Sequence, residues 1–320
     1  MCGIVGFLDK TKNKKTTVGQ TLLEMLTALG VRGPDSAGVA LYGHPNDGGF
    51  VVRVKLGEVP PIPAPSASLP PLRGSGGTAF EERGTSIAER VRAFGSVREV
   101  ETTAEYLRFV IHPHGDASPL VQFIESLDDG IEVISMGQRL EIVKQVGSPQ
   151  NLDATHGISK FVGTHGIGHT RLSTESRVDL SHSQPFWAHG TPDLAIVHNG
   201  HITNYHKLRR RYEQHGIKFY TENDSEIIGV YLAARISQGL TLKEALDASL
   251  IDLDGSFSYL VATSDALGFA KDPFAFKPLL FTETDHFVAV ATEEIAIRAA
   301  FAGTYEVREA QAKEVRIWQR

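Results

Sequence analysis

The chain has 320 residues, of which 41% are hydrophobic and 22% charged, and its formal net charge is −6. This length allows one large domain or two small ones, and the acidic balance argues against nucleic-acid binding, which normally goes with a basic excess. The sequence has no run of 18 apolar residues and no signal-peptide pattern at its start. Its single cysteine cannot form an internal disulfide. We therefore expect a cytoplasmic protein that neither spans a membrane nor binds nucleic acid.

The N-terminal half of the sequence combines strand-like and helical patterns with one proline-rich segment. Alternating or continuous short apolar runs predict strands, and apolar residues three or four positions apart predict helices. Residues 58–77 hold six of the fifteen prolines, which is typical of a loop. In chain order the predicted elements are a strand at 3–8, a helix at 16–29, a strand at 37–42, a helix at 85–94, a strand at 106–112, a helix at 119–127 and strands at 131–135 and 140–146.

The C-terminal half returns to glycine-rich, strand-like pieces with a block of helices between them. In chain order we predict strands at 166–172 and 194–198, helices at 204–215, 225–238 and 242–249, strands at 256–263, 268–270, 279–282 and 287–291, and a last helix at 293–301. Strands and helices that come in runs, rather than in strict alternation, favour an α+β fold.

The position of Cys2 is the first functional signal. An initiator methionine is usually removed before a small residue, and its removal would give Cys2 a free α-amine. The reference pKa of an α-amine is about 7.7 to 8.0 and that of a thiol about 8.5, so the amine can act as general base for its own side chain. The alternative is that Cys2 is only a small apolar residue at the start of a strand. The polar motifs elsewhere in the chain argue against that alternative.

Three of these motifs suggest how an amino acid and an amide could be bound. Arg171 follows a strand pattern, and an arginine there can hold a carboxylate through two hydrogen bonds. Asn199 and Gly200 follow an apolar strand and can form an oxyanion hole from a side-chain amide and a backbone N–H. Asp224 can accept an α-ammonium, although residues 223–226 also have an ordinary helix-capping explanation.

The motifs together resemble the class II glutamine amidotransferases. The matching segments are Cys-Gly-Ile at 2–4, Arg-Gly-Pro-Asp-Ser at 32–36, Gly-His-Thr-Arg at 168–171, His-Asn-Gly at 198–200 and Asn-Asp-Ser-Glu at 223–226, with further matches at 183–186, 254–257 and 271–279. The resemblance implies a four-layer αββα N-terminal-nucleophile hydrolase sandwich over residues 2–320. An α+β insertion at about 43–161 would interrupt it. Leu172 departs from the pattern, because the family usually has an aromatic residue there.

The resemblance also implies the roles of the site residues. The catalytic residues would be Cys2, Asn199 and Gly200, and the substrate-binding residues would be Arg32, Arg171, Thr174, His198 and Asp224. The substrate would be L-glutamine, with no metal and no cofactor in this chain. Residues 112–116, His-Pro-His-Gly-Asp, could instead suggest a metal site, but no cysteine or glutamate pattern accompanies them, and an ordinary loop is the favoured interpretation.

The insertion, with the phrases at 131–137 and 163–169, is similar to the stand-alone amidotransferase-like subunit of glutamate-synthase-like systems, including N-methylglutamate synthase. That resemblance implies glutamate-synthase-like partner subunits, on which FMN and iron–sulfur clusters would lie. Two other functions stay open: a non-catalytic structural or regulatory subunit, and an N-terminal-nucleophile amidohydrolase that acts alone. Intact Cys2, Asn199, Gly200 and Asp224 argue against the first. The pairing of Arg171 with Asp224 favours glutamine over another amide.

Overall fold

The computed structural model describes residues 2–11, 13–45, 47–57, 76–172 and 179–320. Thr174 and the proline-rich segment up to residue 75 lie outside these residues. The strands are β1 (Gly3–Asp9), β2 (Ser36–Tyr42), β3 (Phe50–Lys55), β4 (Gly95–Thr103), β5 (Tyr106–Pro113), β6 (Glu132–Gly137), β7 (Leu140–Val146), β8 (His165–Arg171), β9 (Phe186–Trp187), β10 (Ala195–Ile202), β11 (Gly255–Ala262), β12 (Ala266–Lys271), β13 (Leu280–Glu283), β14 (Phe287–Ala291), β15 (Arg308–Glu309) and β16 (Val315–Gln319).

Eight α-helices lie between these strands in the described residues. They are α1 (Val18–Ala28), α2 (Gly76–Val91), α3 (Ser118–Glu125), α4 (Pro149–His156), α5 (Tyr205–Gln214), α6 (Asp224–Ser237), α7 (Leu242–Asp252) and α8 (Glu294–Ala300), with short 3-10 turns at Gly30–Arg32 and Ile158–Lys160. In the part of the chain that the structure describes, none of these helices has the length and apolarity needed to cross a membrane.

Two antiparallel sheets lie face to face in the centre of the molecule. The first has the order β15-β13-β14-β1-β8-β2-β7 and the second β16-β12-β11-β10-β9. Side chains alternate across a strand, so Ile4 and Leu8 of β1 pack between the sheets while Val5 packs against α1 on the outer face. The outer face of the second sheet packs against α6 and α7. The predicted α+β fold, an αββα sandwich, is therefore confirmed.

The segment predicted as an insertion, 43–161, is divided between two sheets. Strands β4, β5, β3 and β6 form a separate four-stranded sheet, against which α2 and α3 pack. We call β3–β6 with α2 and α3 the insert sheet. Its apolar core is continuous with the core between the two central sheets. The next strand, β7, pairs instead with β2 along its whole length, so the same segment also supplies an edge strand of the seven-stranded sheet.

Candidate active site

Six of the eight predicted site residues lie together at one end of the sandwich. Gly3 of β1 lies opposite Thr170 of β8, so Cys2 and Arg171 are neighbours on adjacent strands. Residues 199 and 200 approach from β10 of the second sheet, and Asp224 begins α6. A pocket of about 600 Å³ opens there. Its lining includes Cys2, Arg171, Leu172, Gln184, His198, Asn199, Gly200 and Asp224.

The thiol of Cys2 is partly exposed to this pocket. Its Sγ lies 3.9 Å from the carbonyl oxygen of Leu172. The side-chain amide of Asn199 donates a hydrogen bond of 3.2 Å to the carbonyl of Cys2, which fixes that amide beside the thiol. The side chain of Leu172, where the family pattern has an aromatic residue, is 37% exposed. Leu172 lines the pocket with its carbonyl beside the thiol, and its side chain is partly exposed.

Gly200 occupies a position that only glycine fits. Its φ is +143°, and a Cβ atom there would lie 2.2 Å from the carbonyl oxygen of Ser256 on the paired strand β11. Glycine adopts this conformation without the steric cost that a side chain would bring. The backbone of Gly200 and the amide of Asn199 therefore stand together in the pocket wall, an arrangement that can hold an oxyanion.

Arg171 comes from β8 in the same sheet as β1, whereas Asn199 comes from β10 in the second sheet. The residue is 5% exposed, and its Nη1 donates a 3.1 Å hydrogen bond to the carbonyl of His182. Burial lowers the pKa of the guanidinium, and the nearby Cys2 and Asp179 partly offset this. An arginine remains charged despite such a shift, so Arg171 brings a held positive charge to the pocket and can bind a carboxylate.

Asp224 supplies a negative charge to the same pocket that holds the positive charge of Arg171. Its Oδ2 accepts a 2.7 Å hydrogen bond from the backbone N–H of Ile202 and lies 3.3 Å from Nδ1 of the exposed His201. Asn223 caps α6 by accepting a hydrogen bond from the N–H of Ser225, so the carboxylate is held by its backbone as well. A carboxylate facing a pocket in this way can bind an ammonium group.

His198 is buried beneath the pocket and serves as a structural link. Its Nδ1 lies 2.8 Å from Oγ of Ser225, and burial lowers its pKa although the charge of Asp224 acts in the other direction. The side chain of Gln184 accepts a hydrogen bond from the N–H of His198 and donates to its carbonyl. Its Nε2 also lies 3.1 Å from Oγ of Ser225. Gln184 thus joins β10 to the start of α6. This role was not predicted from the sequence, because the 183–186 match assigns no function to the Gln184 amide.

One predicted substrate-binding residue, Arg32, does not line the pocket in the part of the chain that the structure describes. Arg32, in the 3-10 turn, forms an ion pair with Glu293 and is absent from the pocket lining in the described residues. Thr174 lies outside the described residues. No group of three histidine, cysteine, aspartate or glutamate side chains in the described part of the chain is arranged to hold a metal ion, and residues 112–116 close β5 and begin the loop to α3.

The sequence of this chain is similar to those of glutamine amidotransferases. A family model described as a glutamine amidotransferase domain matches residues 169–299. A protein of Methanothermobacter thermautotrophicus designated as a glutamine amidotransferase is 36% identical over 327 residues, which cover 100% of both chains. The glutamine amidotransferase-like protein GlxB of Rhizobium meliloti is 34% identical over 93% of this chain and 91% of its own length.

Two comparisons involve longer proteins. An amidophosphoribosyltransferase of Methanocaldococcus jannaschii is 30% identical over 51% of this chain, and the match spans 35% of that enzyme. The solved structure of glutamine phosphoribosylpyrophosphate amidotransferase from B. subtilis superposes with a TM-score of 0.61 at 20% identity, over 99% of this chain and 47% of that chain. This structural similarity shows that the two share a fold.

Proposed function

This chain belongs to the class II glutamine amidotransferase family, and from that premise we propose that it hydrolyses L-glutamine through Cys2 and releases ammonia. One observation carries the proposal: a positive group, Arg171, and a negative group, Asp224, share one pocket with the thiol. An α-amino acid carries a carboxylate and an ammonium on one carbon, so this pair can orient it. A side-chain amide would then extend toward Cys2.

The reaction follows from the groups around the thiol. Once Met1 is removed, the α-amine of Cys2 takes the thiol proton, and the thiolate attacks the carboxamide carbon of glutamine. The amide of Asn199 and the N–H of Gly200 stabilise the negative oxygen of the tetrahedral intermediate. The ammonium of Cys2 returns its proton to the leaving nitrogen, and ammonia departs to leave a thioester. Water, deprotonated by the same amine, then attacks the thioester, which yields glutamate and restores the thiol.

We further propose that the ammonia acceptor lies on a separate, glutamate-synthase-like partner. The support is twofold: the chain covers the whole of one designated amidotransferase but 35% of an amidophosphoribosyltransferase, and the insertion resembles that of stand-alone subunits. FMN and iron–sulfur clusters would then belong to the partner. Glutamine labelled with ¹⁵N in its amide would test this, because label should enter the product of the assembled complex and appear only as free ammonium with this chain alone.

The first test is glutamate release by the isolated chain. Mass spectrometry first establishes that Met1 is absent, and Cys2→Ala is assayed beside the wild type. Loss of a covalent nucleophile should reduce kcat/KM by more than about 10³-fold. Equal activity in the two proteins would exclude Cys2 as the nucleophile. Inactivity of both, alone and with the partner subunits, would favour a structural or regulatory subunit, and turnover of other amides but not glutamine would favour a stand-alone amidohydrolase.

A further inference from the structure

The insert sheet contacts the loop that supports Arg171. Lys55 of β3 and Glu132 of β6 lie directly opposite each other in the sheet, and both are largely buried. The Nζ of Lys55 donates a 2.6 Å hydrogen bond to Oγ of Ser181, and that hydroxyl donates a 2.5 Å hydrogen bond to Glu132. Ser181 is therefore held between two charged side chains of a sheet that contributes no residue to the pocket lining described above.

The residue after Ser181 transmits this contact to the pocket. The carbonyl of His182 accepts hydrogen bonds from Arg171 at 3.1 Å and from Asn223 at 3.3 Å. The backbone N–H and the Nδ1 of His182 in turn bind Oδ1 of Asp179. Burial would raise the pKa of Asp179, but the hydrogen bonds from His182 and the charge of Lys55 outweigh it and lower the pKa to about 2. The loop 179–183 thus holds the carbonyl of His182 in contact with two pocket residues, Arg171 and Asn223.

A second contact from the insert sheet reaches the segment before Asp224. Glu125, at the end of α3, accepts a 2.7 Å hydrogen bond from the hydroxyl of Tyr220 and a 3.1 Å hydrogen bond from the N–H of Val133. The N–H groups of Tyr220 and Thr221 both donate to the carboxylate of Glu226 in α6. Glu125 therefore ties α3 and β6 to the turn that leads into the start of α6, where Asp224 lies.

We propose that Ser181 and Tyr220 are positioning residues through which the insert sheet sets the affinity of the pocket for glutamine. Ser181 acts on the side that would bind the carboxylate, through His182 and Arg171. Tyr220 acts on the side that would bind the ammonium, through the start of α6. Neither residue lines the pocket. This inference rests on the proposed glutaminase function, and it assigns the insert sheet a role in substrate binding.

Single-hydroxyl deletions test the two contacts in the full-length protein. We expect Ser181→Ala and Tyr220→Phe each to raise KM for glutamine about three- to tenfold, the range that follows from losing one hydrogen bond, with kcat within about twofold of the wild type. A rise in KM at constant kcat marks the loss of binding energy that is equal in the ground state and the transition state. Ser181→Thr keeps the hydroxyl and should restore the wild-type KM.

Matched controls exist within the same region. Ser135 of β6 accepts a hydrogen bond from the N–H of Ile142, and the hydroxyl of Tyr106 donates to the carbonyl of Lys144; neither residue lines the pocket. Ser135→Ala and Tyr106→Phe should destabilise the protein but leave KM unchanged. Equal KM values for Ser181→Ala, Tyr220→Phe and these controls would overturn the inference.

Amide hydrogen exchange separates this inference from the proposed function. Ser181→Ala should speed exchange at residues 181–183, and Tyr220→Phe should speed it at residues 220–223, while the controls leave both segments protected. This readout requires no glutamine turnover. If the wild type releases no glutamate either alone or with the partner subunits, the proposed function fails and exchange alone decides the positioning role. Unchanged exchange in both test variants would overturn the inference whether or not the enzyme is active.

Discussion

The central sheets and the insert sheet differ in how completely their strands are covered. Every residue of β1, β2 and β8 is buried, because one face of that sheet packs on the second sheet and the other on helices. More than half of the residues of β4 in the insert sheet are exposed. Cys2 precedes β1 and Arg171 ends β8, so these two pocket residues are attached to fully covered strands, whose neighbours leave them little freedom to shift. The insert sheet supplies none of the described pocket lining and is linked to it through the side-chain hydrogen bonds of Ser181 and Tyr220.

This difference suggests a division of work. Cys2 beside β1, and Asn199 and Gly200 in β10, would act in the chemical step, where small displacements are costly. Groups on the insert sheet would act on binding, where a lost hydrogen bond changes affinity by a modest factor. The following substitutions test this division, in order of decreasing expected effect.

The largest effect is expected for Asn199→Ala in β10. Removal of one oxyanion donor typically costs about 10²- to 10³-fold in kcat, and the side chain of Asn199 stands beside Cys2. We expect this loss in kcat with a small change in KM, the reverse of the pattern for Ser181→Ala. Steady-state kinetics with glutamine measures both parameters. A variant that loses affinity and keeps kcat would remove the distinction between the two regions.

The second effect concerns the acid sensitivity of the central sheets. His165 of β8 is fully buried, and burial lowers its pKa from 6.5 to about 4. Below pH 6.5 the unfolded chain binds a proton that the folded chain excludes, so this contribution to stability is complete above pH 6.5 and is lost as the pH falls toward 4. The loss should reach about 3 kcal/mol at pH 4.

Urea unfolding at pH 7 and pH 4.5 measures that loss. In His165→Gln the free energy of unfolding should depend less steeply on pH in this window. In Tyr106→Phe the free energy of unfolding should fall by a similar amount at both pH values. An unchanged pH dependence in His165→Gln would show that His165 does not carry the effect.

The third prediction compares the stability cost of a glycine-to-alanine substitution in the central sheet with that of one in the loop between β5 and α3. A Cβ atom on Gly38 of β2 would lie 2.2 Å from the carbonyl oxygen of Gln184 and 3.0 Å from Pro185, so Gly38→Ala should cost about 1 to 3 kcal/mol of stability and disturb the residue that clamps His198. A Cβ atom on Gly115, beside α3, would meet nothing within 4 Å. Gly115→Ala should change stability by less than about 0.5 kcal/mol. Similar melting temperatures for the two variants would contradict the packing difference.

Several elements could be predicted because their signals are local. The periodic apolar residues of α1 and the buried runs of β1 and β2 appear where the sequence analysis placed them, within two residues at each end. Helix α4 was missed although its signals were present: Ser148 caps it, Pro149 begins it, and Gly157 ends it with a φ of +62°. Strand β4 was missed because more than half of its residues are exposed, and it is stabilised by pairing with β5 rather than by an apolar pattern of its own. Strand β3 was also missed, although its sequence, Phe-Val-Val-Arg-Val-Lys, is a largely buried apolar run.

The sequence by itself determined the chemical groups and the αββα class: a cysteine at position 2, the amide and glycine at 199 and 200, and charged residues at strand and helix ends. Only the tertiary structure decided which of them meet. Strand register places Arg171 beside Cys2, and Arg32 pairs with Glu293. Strand β7 pairs with β2 in the central sheet, and Ser181 is hydrogen-bonded to the insert sheet. The physical reason is that these pairings connect residues far apart in the chain. Strand register and side-chain contacts between them depend on the packing of the whole domain.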